Sequence, residues 1–184
     1  MVVIRHSAWF LGSFFLLAAL SLGGCSSSSS PESNYLLGAG SADITGPIVD
    51  VPFVGYSQPT HIANGIHTRL SARAFIIGER AGDARLVFVV TDLLNVSQEI
   101  RLSVVENLQE SYGDLYSADN VVVTATHTHS CPGGYRHDGA YRQEFFDAVV
   151  AGVTEAIEAA HEDLQPGRIL LGEGEVDGAG ALRS

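Results

Sequence analysis

The chain has 184 residues, enough for one domain of ordinary size with a substantial core. Ten arginines and no lysine stand against 21 acidic residues, giving a formal net charge of −11. That balance opposes phosphate backbones, so it argues against nucleic-acid binding and fits a solvated acidic surface.

Residues 1–24 read as a targeting segment. Arg5 and His6 precede a mostly apolar stretch from Ala8 to Leu22, which is short for a membrane span. Leu22-Gly23-Gly24-Cys25 then leads into the serines Ser26 to Ser30. Small residues before a cysteine at the end of an apolar core are similar to the bacterial lipoprotein signal. In that class Cys25 is lipidated and becomes the mature N-terminus; the alternative is a plain secretory signal with an incidental cysteine. Residues 25–34 then form a lipidated cysteine with a serine-rich flexible linker. Either way the domain is exported, anchored to the cell envelope or secreted. With only two cysteines in the chain, lipid on Cys25 leaves Cys131 without a partner. Cys131 then reads as a small residue in a tight loop, a reactive thiol or a metal ligand, the first being preferred.

The globular part begins at Tyr35. Leu36 to Ile44 reads as a strand ended by Thr45-Gly46-Pro47, and a loop punctuated by Gly, Pro and Asn runs to Asn64-Gly65. Arg69 to Gly78 and Leu86 to Thr91 read as strands joined by a turn at Gly82-Asp83. Asp92 ends the second of these, where α/β sheets place functional groups, although a turn or cap role fits the spacing equally well. Ser97 can cap a helix carrying Ile100, Val104, Val105 and Leu108 at helical spacing, ending near Tyr112-Gly113.

Val121 to Ala125 is β-branched and reads as a buried strand. It leads into Thr126-His127-Thr128-His129-Ser130-Cys131-Pro132-Gly133-Gly134. Alternation along a strand would point His127 and His129 to one side, and Pro-Gly-Gly would break the strand and admit a ligand close to the backbone. Two imidazoles at the mouth of a sheet make half a metal site, or two ordinary polar residues; spacing alone does not decide. A second helix from about Arg142 to His161 carries Phe146, Val149, Val150, Val153, Ile157 and Ala160 on one stripe, and Arg168 to Leu171 reads as a further strand. Strand, helix, strand, helix, strand implies an α/β fold with a mixed, partly parallel sheet and flanking helices. The glycine-rich end from Gly172 to Ser184 lacks a closing element and suggests a portion of a larger domain.

Several of these segments together resemble the neutral (non-lysosomal) ceramidases. Gly38-Ala39-Gly40-Ser41-Ala42-Asp43-Ile44-Thr45-Gly46-Pro47 resembles that family's opening motif, and so do Gly55-Tyr56, Gly65-Ile66-His67-Thr68-Arg69-Leu70 with Arg73-Ala74-Phe75, and Asp119-Asn120-Val121. The Thr-His-Thr-His-Ser-x-Pro-Gly-Gly run is the family's strongest signature, and Pro166-Gly167-Arg168-Ile169 and Val176-Asp177-Gly178 follow in order. The resemblance covers residues 35–184, the N-terminal part of the family's catalytic domain. It implies a zinc amidase that cleaves ceramide into sphingosine and a fatty acid.

The same resemblance implies roles for particular residues. His127 matches a zinc ligand, and His129 lines the same site, contacting substrate or moving protons; the plainer reading of His129 is a residue that orients its neighbours. Arg183 matches an arginine tied to activity, although Leu182 stands where the family has Asn and a solvated loop charge is the alternative. His67 falls where a main-chain carbonyl meets a second, structural ion of calcium or magnesium type. Cys131 replaces the signature's usual glycine. The family's other zinc ligands, a second His, a Glu and a Tyr, lie beyond position 184. His61, His67, His137 and His161 match no zinc position and are expected on loops or surfaces. Two further readings stay open: a truncated, non-catalytic ceramidase-like lipoprotein, and a zinc hydrolase of other N-acyl amides.

Overall fold

The computed structural model describes residues 33–58, 60–137 and 140–180. The signal segment at 1–24, Cys25 and Arg183 therefore lie outside the described residues.

Alternation of side chains builds a sheet with two unlike faces. Strands β1 (Tyr35–Asp43), β2 (Ser71–Glu79) and β3 (Arg85–Thr91) run antiparallel in sequence, and β4 (Val121–Ala125) joins β3 in parallel. A three-residue strand β5 (Gln165–Gly167) pairs antiparallel with β1, so the order across the sheet is β4-β3-β2-β1-β5. On β2 and β3 the buried set is Ala72, Ala74, Ile76, Gly78, Val87, Val89 and Thr91. The intervening Phe75, Leu86 and Phe88 are 44–48% exposed. The mixed, partly parallel sheet expected from the sequence is present, with β3/β4 as its single parallel pair among the described residues.

Helices α1 (Gln98–Tyr112) and α2 (Gln143–Glu162) contribute their apolar stripes to one core with the buried sheet face. Ser97 caps α1, its side-chain oxygen accepting from the Ile100 N–H at 3.3 Å, and Gly113 closes it with a φ of 59°. Helix α2 lies unusually close to β1. A methyl group on Gly38 would sit 2.0 Å from the Ala160 carbonyl oxygen, and one on Gly40 2.3 Å from that of Ala156. The Gly-x-Gly of β1 thus lets a helix backbone rest directly on a strand backbone.

Three local expectations are corrected. The strand expected at Arg168 to Leu171 forms instead at Gln165–Gly167, because α2 delivers the chain beside the start of β1; the Asp163 carboxylate even takes the Ala39 N–H at 3.0 Å. Leu170 and Leu171 are 78% and 97% exposed. Strand β4 is not buried throughout: it is an edge strand with Val121 in the core and Val122 facing out. On α2 the fully buried aromatic is Phe145, not Phe146, since the helix meets the core one residue earlier and Phe145 packs edge-on against Tyr135.

Candidate functional site

The parallel pair β3/β4 delivers two loops side by side at its C-terminal end, the position where open α/β sheets gather functional groups. Their backbones stay in step beyond the strands. The Thr126 N–H donates to the Thr91 carbonyl at 2.9 Å, and the Thr128 N–H donates to the Leu93 carbonyl at 3.2 Å. The Thr91 hydroxyl, fully buried, donates to the Thr124 carbonyl at 2.9 Å and ties the same two strands together.

His127 sits between these bonds with a φ of 60°, in the left-handed region where non-glycine residues are uncommon. β4 has already ended at Ala125, so strand alternation does not place this side chain. The local kink does: it turns the ring toward the β3 loop, where Nδ1 lies 3.0 Å from the Leu94 carbonyl oxygen. A carbonyl only accepts, so Nδ1 carries the proton and Nε2 presents its lone pair. His129 is brought alongside with ring centroids 5.2 Å apart, in an edge-to-face arrangement. The two histidines meet as expected, by a route other than the expected one.

His129 is enclosed by the loop that follows β1. The segment around Val51–Ala63 is tied to the signature loop by a bridge between Phe53 and Pro132 and by the Gly133 N–H donating to the Pro52 carbonyl at 2.8 Å. Tyr56 packs edge-on to His129 at 5.0 Å and to His61 at 5.6 Å. The Nδ1 of His129 is buried and has no hydrogen-bond partner. A cavity of about 580 Å³ opens here, with Phe53, Tyr56, His61, His67, His129 and Pro132 in its wall. That size lies within the usual range of small-molecule sites, about 300–1,000 Å³. His67 is thus brought to the same cavity as His129, with an exposed side chain. His61 carried no signal in the sequence, and Tyr56 carried only the Gly55-Tyr56 resemblance without its contact, because the role of both follows from the docking of one loop on another.

The remaining candidates divide plainly. Asp92 receives both ends of the Arg73 guanidinium at 2.9 and 3.1 Å and the Ser71 N–H at 3.0 Å. Burial works against its charge, but these donors outweigh it and hold the carboxyl below the usual carboxylate range. Cys131 is fully buried, its thiol donating to the Pro132 carbonyl at 3.2 Å, and burial pushes its pKa up to about 12. It belongs to the core. His137 pairs with Glu99 at 3.2 Å and stacks on Tyr141 at 4.0 Å. His161, expected on a loop or surface, instead lies in the last turn of α2 and shares a 2.6 Å hydrogen bond with the buried Tyr116 hydroxyl. Among the described residues no group of three His, Cys, Asp or Glu side chains is arranged to hold a metal ion. No helix among them is long and apolar enough to cross a membrane.

Comparison with known proteins places these features. The family described as "Neutral/alkaline non-lysosomal ceramidase, N-terminal" matches residues 35–184. Neutral ceramidase 1 of Arabidopsis thaliana is 46% identical over 160 residues, covering 83% of this chain and 20% of its own length. Neutral ceramidase of Pseudomonas aeruginosa is 43% identical over 157 residues, covering 82% of this chain and 23% of its own. A solved structure of a ceramidase complexed with C2 superposes with a TM-score of 0.75 at 41% identity, covering 80% of this chain and 24% of that one. The chain therefore spans about a fifth to a quarter of the length of the curated relatives it matches. On the match across residues 35–184 and on these identities, the chain belongs to the neutral/alkaline non-lysosomal ceramidase family.

Proposed function

We propose that this chain is the N-terminal portion of a longer zinc-dependent amide hydrolase that cleaves ceramide to sphingosine and a fatty acid. The observation that carries the reading is the bond from His127 Nδ1–H to the Leu94 carbonyl. Metal-binding imidazoles characteristically donate their other ring N–H to a carbonyl or carboxylate, which fixes tautomer and orientation. His127 would hold zinc through Nε2, and the left-handed backbone at this residue is strain of the kind that gathers at functional sites. The cavity beside His129, with Phe53 and Pro132 in its wall, suits the apolar part of a lipid amide. Catalytic zinc takes three protein ligands plus water, so the remaining ligands come from residues outside those described here.

Bound zinc supplies a water of pKa near 7 and polarises the amide carbonyl. His127 fixes the position of that chemistry through its bond to Leu94. His129, on the cavity wall, contacts the substrate or moves a proton between the amide and solvent. The proposal further assigns Arg183 a part in activity, the His67 carbonyl a contact to a structural calcium- or magnesium-type ion, and Cys25 a lipid anchor at the cell envelope, where the substrate resides. A second reading is a truncated, non-catalytic ceramidase-like lipoprotein; the absence of a three-ligand group among the described residues favours it if the native product ends near residue 184. A third is a zinc hydrolase of other N-acyl amides.

The test is zinc content and ceramide hydrolysis of the full-length product, with and without His127→Ala. The substitution should remove both bound zinc and activity. Retention of both would overturn the assignment of His127. A native protein of about the present length that neither binds zinc nor cleaves ceramide would select the non-catalytic reading, and cleavage of other N-acyl amides in preference to ceramide would select the third.

A further inference from the structure

Gly55 has a φ of 94°, and a methyl group built on it would lie 2.3 Å from Nδ1 and 2.4 Å from Cε1 of His129. No side chain fits at that distance, so the bare backbone of residue 55 is the surface against which one edge of the imidazole rests. The next residue, Tyr56, meets the same ring edge-on, with centroids 5.0 Å apart and planes inclined at 63°. The contact is reciprocated a few residues away. A methyl on Gly133, in the signature loop, would fall 2.4 Å from Cγ1 of Val54. The Gly133 N–H bond to Pro52 and the Phe53–Pro132 bridge lock the two loops between these points.

From this interlock we infer that Gly55 and Tyr56 are positioning residues for His129. They form a seat that seals Nδ1, which is buried without a partner, and leave Nε2 as the ring nitrogen free to meet a substrate. The seat is carried by a loop some seventy residues earlier in the chain, so the orientation of His129 depends on two loops staying docked. This inference rests on the reading of His129 as a member of an amide-cleaving site.

The experiment is a double-mutant cycle in the full-length product, with kcat and KM for a short-acyl ceramide measured separately. Gly55→Ala should lower kcat by roughly 10- to 100-fold, since displacement of a reacting group by about 1 Å has effects of that order. KM should move far less. In the His129→Ala background the same substitution should change kcat by less than about twofold, because residues that act through one another are not additive. Tyr56→Leu, which removes the ring that meets the imidazole edge-on, should lose part of kcat. An equal loss from Gly55→Ala in both backgrounds would overturn the inference and leave the amidase reading intact. A wild-type kcat for His129→Ala would instead remove His129 from the site. Should Gly55→Ala fail to fold, the wild-type protein decides by proton NMR. A nuclear Overhauser contact from the Gly55 Hα to His129 Hε1 is required, and its absence overturns the seat.

Discussion

Tyr116→Phe removes one oxygen atom from the core and isolates the contribution of one buried hydrogen bond. Tyr116 is fully buried, and burial raises its phenol to a pKa of about 12, so the hydroxyl stays protonated and donates. Its partner is Nδ1 of His161 at 2.6 Å, within an aromatic group in which Tyr112 meets Tyr116 at 5.5 Å and His161 at 4.4 Å. Burial, and then the positive charge of Arg85 on β3, lower the His161 pKa below its usual 6.5, with Glu162 opposing. The ring is therefore neutral at pH 8, and Nδ1 accepts. Without the hydroxyl, Nδ1 is left without a partner, a loss of about 1–3 kcal/mol for a buried group. His161 is only partly buried, so water recovers some of that, and about 1.5 kcal/mol is expected. For a domain of this size that corresponds to a fall in Tm of roughly 3–6 °C.

Urea unfolding followed by far-UV circular dichroism measures this directly, and pH supplies an independent check. A histidine whose folded pKa is depressed contributes stability fully above its unfolded value of 6.5 and loses it as pH falls below that value toward the folded one. Wild type should therefore be less stable at pH 5.5 than at pH 7.5 by a share that His161→Gln abolishes. Equal stability of Tyr116→Phe and wild type at pH 8 would refute the hydrogen-bond argument. A share of the opposite sign would refute the assignment of burial as the dominant influence on His161.

Gly40→Val should destabilise the chain by at least about 3 kcal/mol in urea unfolding, because overpacking against an unyielding backbone lies at the upper end of such effects and the new Cβ alone would lie 2.3 and 2.4 Å from the Ala156 carbonyl oxygen and the Ala160 nitrogen. Gly172→Ala, where a methyl meets nothing within 4 Å, should stay within about 0.5 kcal/mol of wild type in the same assay. Cys131 should resist iodoacetamide at pH 8 until the chain unfolds. Raising a thiol from 9 to about 12 cuts its thiolate fraction roughly a thousandfold, and full burial removes access as well. Prompt alkylation at Cys131 itself, located by peptide mapping to distinguish it from Cys25, would place Cys131 at the site rather than in the core.

The architecture was legible wherever one period dominated a segment. The apolar runs of β2 and β3 on either side of the Gly82-Asp83 turn, and the Ser97 cap with Ile100, Val104, Val105 and Leu108 at helical spacing, told strand from helix correctly. Legibility failed where tertiary placement decides. Nothing local in Val121-Val122-Val123 says that β4 is an edge strand, since β-branched residues suit edge and centre alike. Nothing local in Ile169-Leu170-Leu171 says that those apolar side chains stay exposed while Gln165–Gly167 pairs with β1. Adjacent phenylalanines on α2 differ by 100° around the helix, so a small rotation of the helix on the sheet chooses Phe145 over Phe146.

The site illustrates a different boundary. The proximity of His127 and His129 was inferred from strand alternation, yet the strand stops two residues short of His127 and a left-handed residue does the turning. What holds the kink is long-range: the bond from Nδ1 to Leu94, thirty-three residues earlier in the chain. The same holds for His129, whose seat at Gly55 and Tyr56 belongs to a loop separated from it by three strands, an α-helix and a short 3-10 helix. A motif can therefore announce which residues gather without announcing how they are aimed, because aim is set by backbone contacts that leave no periodicity. In this chain the glycines carry that missing information. Gly38 and Gly40 mark where α2 touches β1, and Gly55 and Gly133 mark where the two site loops touch each other. At each of these four a methyl group would collide, whereas at Gly172 it would meet nothing, so glycine points to a tertiary contact only within the packed body and does not name the partner.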